Sequence, residues 1–246
     1  MILFPSIDLK DGYVMRYVRG AGEAVQIDTL DPTTEALAFE KQGFKWLHLV
    51  DLNGATTGEM KNIDAVESIL KTASIPVQLG GGIRDMAGIE YWLQRGVQRV
   101  VVGTIAQKNP ALVREACTRF PGRIVVSIDA RGGQVTLSGW TQTTEMKALE
   151  LGLRFEDAGA AAIIYTDIGR KGTFTGINVE AMADLAFALT TPVIASGGLA
   201  SLNDIEELRN HQTSGIVGVV CGRALYDGRV DPAQALKTAG DQKEFV

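Results

Sequence analysis

Cysteine and histidine are scarce in this sequence. There are two of each, Cys117, Cys221, His48 and His211, and no CxxC pair. Such a set supports neither a disulfide framework nor a zinc site, and it points to a reducing compartment. Long apolar runs are missing too: none approaches the ~20 residues of a membrane span. The opening MILFPSIDLKDG has a short apolar stretch with no basic residues ahead of it, which does not read as a secretory leader. A cytoplasmic location is expected. Lys and Arg number 24 against 29 acids, a net charge of −5, and they are scattered. With no basic stripe, neither a nucleic-acid surface nor an anionic membrane is an expected partner, so any bound anion must be held by local groups. HExxH and EF-hand patterns are absent, and GGGIR at 80–84 does not open a GxGxxG dinucleotide fingerprint. No metal and no cofactor are therefore expected.

The chain does contain eight short apolar runs: 2–7, 46–52, 76–80, 99–103, 123–129, 161–167, 192–198 and 216–222. They are continuously apolar instead of alternating, as in strands buried on both faces of a parallel sheet. Between them lie eight segments with helical spacing, among them TTEALAFEKQG, DMAGIEYWLQRG, TEMKALELGLRFEDAG and DPAQALKTAG. Several begin at an Asp, Asn, Ser or Thr cap and close on Gly. Strict alternation allows an open doubly wound sheet or a closed barrel.

Internal repetition separates the two. SIDLKDG at 6–12 returns as SIDARGG at 127–133, PVQLGGGIRDMAGIE at 76 parallels PVIASGGLASLNDIE at 192, and VDLNGA at 50 parallels TDIGRK at 166. VVG ending at Gly103 is matched by VCG ending at Gly222. Two half-barrels, roughly 1–121 and 122–246, are read from this. Neither half alone could hide its sheet edges, so one closed (β/α)8 barrel of a single α/β domain is expected. PGR at 121–123 reads as an ordinary turn and not as a linker.

In such barrels the loops after the strands build the site. Asp8 ends the first strand and Asp129 the fifth, four strands apart in eight, so the copied acids should face each other across the mouth. Glycines follow the third and seventh strands: Gly81 and Gly82 with Arg84, then Gly197 and Gly198. Gly103 with Thr104 and Gly222 with Arg223 follow the fourth and eighth. Loops without Cβ atoms let backbone N–H groups approach an anion, so each half should make one phosphate cradle. Two cradles flanking two carboxylates describe a small-molecule substrate phosphorylated at both ends, with proton chemistry in the middle. Asp51 and Asp167, a second copied pair, are read as structural caps or Arg partners. His48 is read as an interior residue, and Trp46 and Trp92 as packing helices onto the barrel exterior. Trp140, in the polar stretch GWTQTT, is a candidate for stacking on an aromatic part of the substrate.

FPSIDLKDG with Arg16, VDLNGA, QLGGGIR, SIDARGG, YTDI, ASGG and GRALYDG, in this order, resemble the phosphoribosylformimino-5-aminoimidazole carboxamide ribotide isomerase family of histidine biosynthesis. The similarity spans essentially the whole chain. It implies an Amadori rearrangement of an aminoaldose to an aminoketose, with Asp8 as proton acceptor, Asp129 as donor and Thr166 hydrogen-bonding near the reacting atoms. It also implies Arg16 as a substrate-binding residue. One departure stands out: after the sixth strand the family usually reads Arg-Asp-Gly, whereas this chain has Arg170-Lys171-Gly172. Lys171 could bind a substrate oxygen, act as a proton donor if desolvated, or sit in solvent. Two rival readings follow. One is phosphoribosylanthranilate isomerase activity, alone or alongside; the other is a bisphosphate-binding protein that lost catalysis with the acid at 171. A monomer is expected.

Overall fold

The structure, a computed structural model, describes residues 1–17, 24–26, 30–137 and 142–242. Eight parallel strands close into a ring: β1 (Ile2–Lys10), β2 (Leu47–Asp51), β3 (Val77–Gly80), β4 (Arg99–Val102), β5 (Ile124–Arg131), β6 (Ala162–Asp167), β7 (Val193–Ser196) and β8 (Ile216–Cys221), which pairs back onto β1. Closure leaves the barrel no open edge, as the repeat requires.

Outer helices follow the strands: α1 (Pro32–Gln42), α2 (Ile63–Thr72), α3 (Met86–Gln94), α4 (Pro110–Arg119), α5 (Ala148–Glu156), α6 (Val179–Phe187), α7 (Leu202–Asn210) and α8 (Pro232–Ala239). Their starts follow from local chemistry. Asp31, Asp85, Asn109, Asn178 and Asp231 each accept a backbone N–H of the first turn. Pro sits at the first helical turn in α1, α4 and α8, where its missing donor costs nothing. The larger apolar core lies between helices and sheet, where Trp92 is 2% exposed. A second cluster, including Phe4, Trp46, Val125 and Ile164, fills the barrel interior.

Trp46 therefore corrects the expectation of an exterior position. It shares inward parity with His48 and Val50, and its ring packs on Phe4 and beneath the Arg99 guanidinium, 4.5 Å from the ring centre. Gly218 makes room for Phe4, because a Cβ there would stand 2.6 Å from the Phe4 ring.

The alternation is also less strict than its sequence pattern. Two antiparallel extensions grow from the mouth: Tyr13–Tyr17 on β1, continued by Ala24–Gln26, and Gln134–Leu137 on β5, continued by Gln142–Lys147. Both turns hold successive residues at positive φ, Asp11 and Gly12 in one and Gly132 and Gly133 in the other, as a type I′ hairpin demands. The repeated heptads thus encode a strand end plus its hairpin turn. Because Gln142–Lys147 pairs as a strand, α5 begins at Ala148 and not within TEMK. Its Thr-rich start favours the pleated, half-exposed surface over helix. Short helices at Leu52–Thr57, Thr104–Lys108 and Arg223–Tyr226 add to the loops after β2, β4 and β8.

Candidate active site

Along a strand, residues two apart share a face. On β1 this turns Phe4, Ser6 and Asp8 inward, and on β5 Val125, Ser127 and Asp129. The lower members pack the barrel, and the upper ones line one cavity of about 760 Å³ at the C-terminal ends of the strands. Ser6 Oγ donates to Asp8 Oδ1 at 2.7 Å, and Ser127 Oγ donates to Asp129 Oδ1 at 3.4 Å. Each carboxylate is thus oriented by the serine two residues before it, an arrangement copied with the repeat. Thr166, 5% exposed, is the cross-strand partner of Asp129 and lines the same cavity.

The glycine turns flank this centre. Gly81, Gly82, Arg84, Gly103 and Thr104 line one side, and Gly197, Gly198, Gly222 and Arg223 the other. Why glycine is needed differs between the turns. A Cβ on Gly81 would lie 2.2 Å from the Asp51 carbonyl oxygen, and one on Gly197 would lie 2.6 Å from the Asp167 carbonyl oxygen. Gly82 and Gly198 press in the same way on the carbonyls of Gly54 and Gly176. Each loop after β3 or β7 is therefore clamped onto the loop after its neighbouring strand, and the glycines permit that approach. Gly103 and Gly222 instead share one backbone shape, φ −108 and −102 with ψ −99 and −118, as each leads into a short helix.

Asp51 and Asp167 hold these loops from below. Asp51 Oδ1 accepts from Gly54 N at 2.9 Å and from Asn62 Nδ2 at 2.6 Å. Asp167 Oδ1 accepts from Gly169 N at 2.9 Å, with Arg170 Nε 3.8 Å from its other oxygen. Asp51 thus caps the short helix Leu52–Thr57, while Asp167 closes a turn and lies beside Arg170, so the pair covers both of the roles expected, cap and Arg partner.

Lys171 lines the cavity. Its loop is fastened by Arg223, whose Nη1 donates to the Gly172 carbonyl at 3.0 Å while Nε donates to Asp227 at 3.0 Å. Arg223 and Arg229 both face the Phe174 ring, at 4.3 and 4.0 Å from its centre. Phe174 has φ +57, and these two guanidinium contacts help offset the cost of that conformation. Arg223, expected to bind substrate, thus also organises the loop that carries Lys171. Arg16 lies on the Tyr13–Tyr17 strand beside Val25, but its side chain falls outside the described residues. Trp140 lies outside them altogether. No group of three or more His, Cys, Asp or Glu able to hold a metal is found among the described residues. No helix among them is long and apolar enough to cross a membrane.

His48 adds what sequence reasoning did not rank as functional. It is 8% exposed, lines the cavity, and has Nδ1 3.0 Å from Gln78 Nε2 on the next strand. Burial pushes the imidazole down to about 4; the Asp8 charge opposes that fall and the Lys171 charge adds to it. The Lys171 ammonium is therefore felt at the centre of the mouth. An unfolded chain protonates this histidine near 6.5, while the folded protein keeps it neutral until about 4. Its contribution to stability is complete above the unfolded value and is lost as pH falls through that window, to an extent of about 3 kcal/mol. Urea unfolding at pH 7 and pH 4 should show His48→Gln losing roughly that much less than the wild type. Equal losses in the two proteins would show that His48 does not carry the effect. Tyr226, to which the sequence reading gave no role of its own, also lines the cavity: its hydroxyl donates to the Ser6 carbonyl at 3.0 Å, and burial raises its pKa well above 10.0.

Comparison with known proteins agrees with this geometry. A family model described as "Histidine biosynthesis protein" matches residues 2–231. A Rhodospirillum centenum protein named 1-(5-phosphoribosyl)-5-((5-phosphoribosylamino)methylideneamino) imidazole-4-carboxamide isomerase is 58% identical over 243 residues, 98% of either chain. Proteins of the same name from Azospirillum brasilense and Parvibaculum lavamentivorans are 56% and 57% identical, covering 96% of this chain and 93% and 98% of their own lengths.

Proposed function

Since this chain belongs to the histidine biosynthesis protein family, we propose that it is the isomerase its relatives are named for, converting a bisphosphorylated aminoaldose into the aminoketose. The observation that carries this reading is the pair of serine-oriented carboxylates in one cavity, flanked on two sides by matching glycine turns. The substrate spans the mouth. One phosphate is held by Gly81, Gly82, Arg84, Gly103 and Thr104, and the other by Gly197, Gly198, Gly222 and Arg223. Arg16 is assigned to substrate binding and Trp140 to stacking on the imidazole. One chain supplies both flanks, so a monomer suffices, and the buried free thiols of Cys117 and Cys221 suit a cytoplasmic enzyme.

Asp129 gives a proton to the furanose ring oxygen as the C1–O bond breaks and the nitrogen lone pair forms a C=N bond. Asp8 then takes the proton from C2, and that electron pair forms C1=C2 while the C=N pair returns to nitrogen. Loss of the enol proton and protonation at C1 complete the ketose. Atoms and electrons balance without a cofactor. Thr166, in register with Asp129, is assigned to hydrogen-bonding the opening sugar.

The direct test is to mix purified protein with the aminoaldose and follow the ketose, beside phosphoribosylanthranilate as competitor. The reading predicts conversion of the first substrate and little of the second, whose single phosphate would leave one flank without a phosphate partner. Binding without conversion would favour the silent-protein reading. Lys171→Asp, which restores the family's usual residue, should keep or raise turnover. A loss of about a thousandfold, a size typical of a lost acid–base group, would show that the lysine has been recruited into the chemistry.

A further inference from the structure

The duplication gives an internal control for any side chain in the mouth. His48 and Gln78 are cross-strand partners on β2 and β3, and 116 residues further on the same two places hold Ile164 and Ile194, cross-strand partners on β6 and β7. One half of the barrel fills this layer with a dry aliphatic pair, so packing alone does not require a polar one. In the other half Gln78 is fully buried and lies below the cavity lining, and its Oε1 has no hydrogen-bond partner. An unpaired buried carbonyl is costly, and two isoleucines show that it is avoidable.

We infer that Gln78 is a positioning residue: its side-chain amide donates to His48 Nδ1, which keeps the proton of the neutral ring on Nε2 and presents that N–H to the substrate in the mouth. The inference rests on the isomerase reading for the identity of the acceptor, a sugar oxygen of the bound aminoaldose. The field at the mouth decides the direction of the amide. The reverse arrangement would have Nδ1–H donating to Oε1 and would turn the bare Nε2 lone pair toward a mouth that contains the Asp8 carboxylate, whose field favours a proton there. Lys171 acts in the opposite sense, but less strongly. A buried histidine oriented through its second nitrogen is a general way to fix which edge does chemistry.

The test uses the fact that the protein has two histidines, of which His211 is exposed and serves as reference. In a sample labelled with 15N-histidine, two-bond 1H–15N correlations at neutral pH should show His48 as a single Nε2–H tautomer. Gln78→Ile, which copies the other half of the barrel, should give a mixture of both tautomers with the fold retained. Kinetically, His48→Gln places an amide N–H near the position of Nε2 and His48→Asn near that of Nδ1. The Gln variant should hold at least about tenfold more kcat than the Asn variant, the scale of one well-placed hydrogen bond. An Nδ1–H tautomer in the wild type, an unchanged tautomer in Gln78→Ile, or an Asn variant as active as the Gln variant would each overturn the assignment. The tautomer is read without substrate, so a protein that fails to isomerise the aminoaldose would sink the functional reading while leaving this measurement to stand or fall alone.

Discussion

Asp8→Asn and Asp129→Asn should each lower kcat by roughly a hundredfold to ten-thousandfold, the usual worth of a positioned acid or base. Binding of the ketose product should change by only a few-fold, because neither substitution removes a group from the glycine turns. Asparagine has the shape of aspartate and can still accept from the serine two residues earlier, as Asp8 does from Ser6 at 2.7 Å and Asp129 from Ser127 at 3.4 Å. What it cannot do is take up or release a proton. The serine contacts mean the variants test proton transfer and not side-chain placement. Steady-state turnover paired with calorimetric titration of the product separates the two. Unchanged turnover in either variant removes that residue from the mechanism.

Gly81→Ala and Gly197→Ala should each produce a large loss of stability. Both residues hold positive φ, +109 and +90, and in both the new Cβ meets backbone: 2.2 Å from the Asp51 oxygen and 2.6 Å from the Asp167 oxygen. A carbonyl belonging to a barrel strand end cannot swing aside as a side chain can. Gly96 supplies the comparison, since it has φ +100 with nothing within 4 Å of its Cβ. Gly96→Ala should therefore cost only the conformational term of about 1 kcal/mol, whereas the two site variants should cost ~3 kcal/mol or more, Gly81 the more severely. At this chain length that corresponds to a fall in Tm of about 10 °C. The same displacement lifts the loop after β3 or β7 away from its neighbour, so KM should rise together with the loss of stability. Thermal unfolding of the three variants side by side checks the claim. Losses equal to that of Gly96→Ala would show that the loops are not clamped as described.

The parts of the fold legible in the sequence were those set by local pattern and by repetition. Continuous apolar runs located every barrel strand, caps such as Asp31 and Asp231 located helix starts, and the copied SID heptads placed Asp8 and Asp129 before any coordinates. Other features depended on partners distant in the chain. The DG and GG turns at 11–12 and 132–133 carry a hairpin signal, but the strands that follow them are only five and four residues long, and only pairing on β1 and β5 makes them strands. The glycine turns read as anion cradles, while the close backbone contact that demands glycine comes from Asp51 and Asp167, some 30 residues earlier in each half. Trp46 gave no sign of its side: one position before β2, its inward parity is fixed by the strand that follows. His48 looked like ordinary interior because Gln78, on the adjacent strand, gives it meaning only once the register is known. The joint hold of Arg223 and Arg229 on Phe174 is likewise a contact between loops after β6 and β8.

The central claim is that hydrogen travels as a proton through a side-chain carboxylate in the mouth. Turnover of the aminoaldose in D2O tests it most directly, with the ketose product examined by NMR or mass spectrometry for label at C1. Deuterium from solvent is expected at C1 in the wild-type product. Product free of solvent deuterium would mean that the C2 hydrogen reaches C1 without exchanging with solvent, and would contradict transfer through a carboxylate open to water.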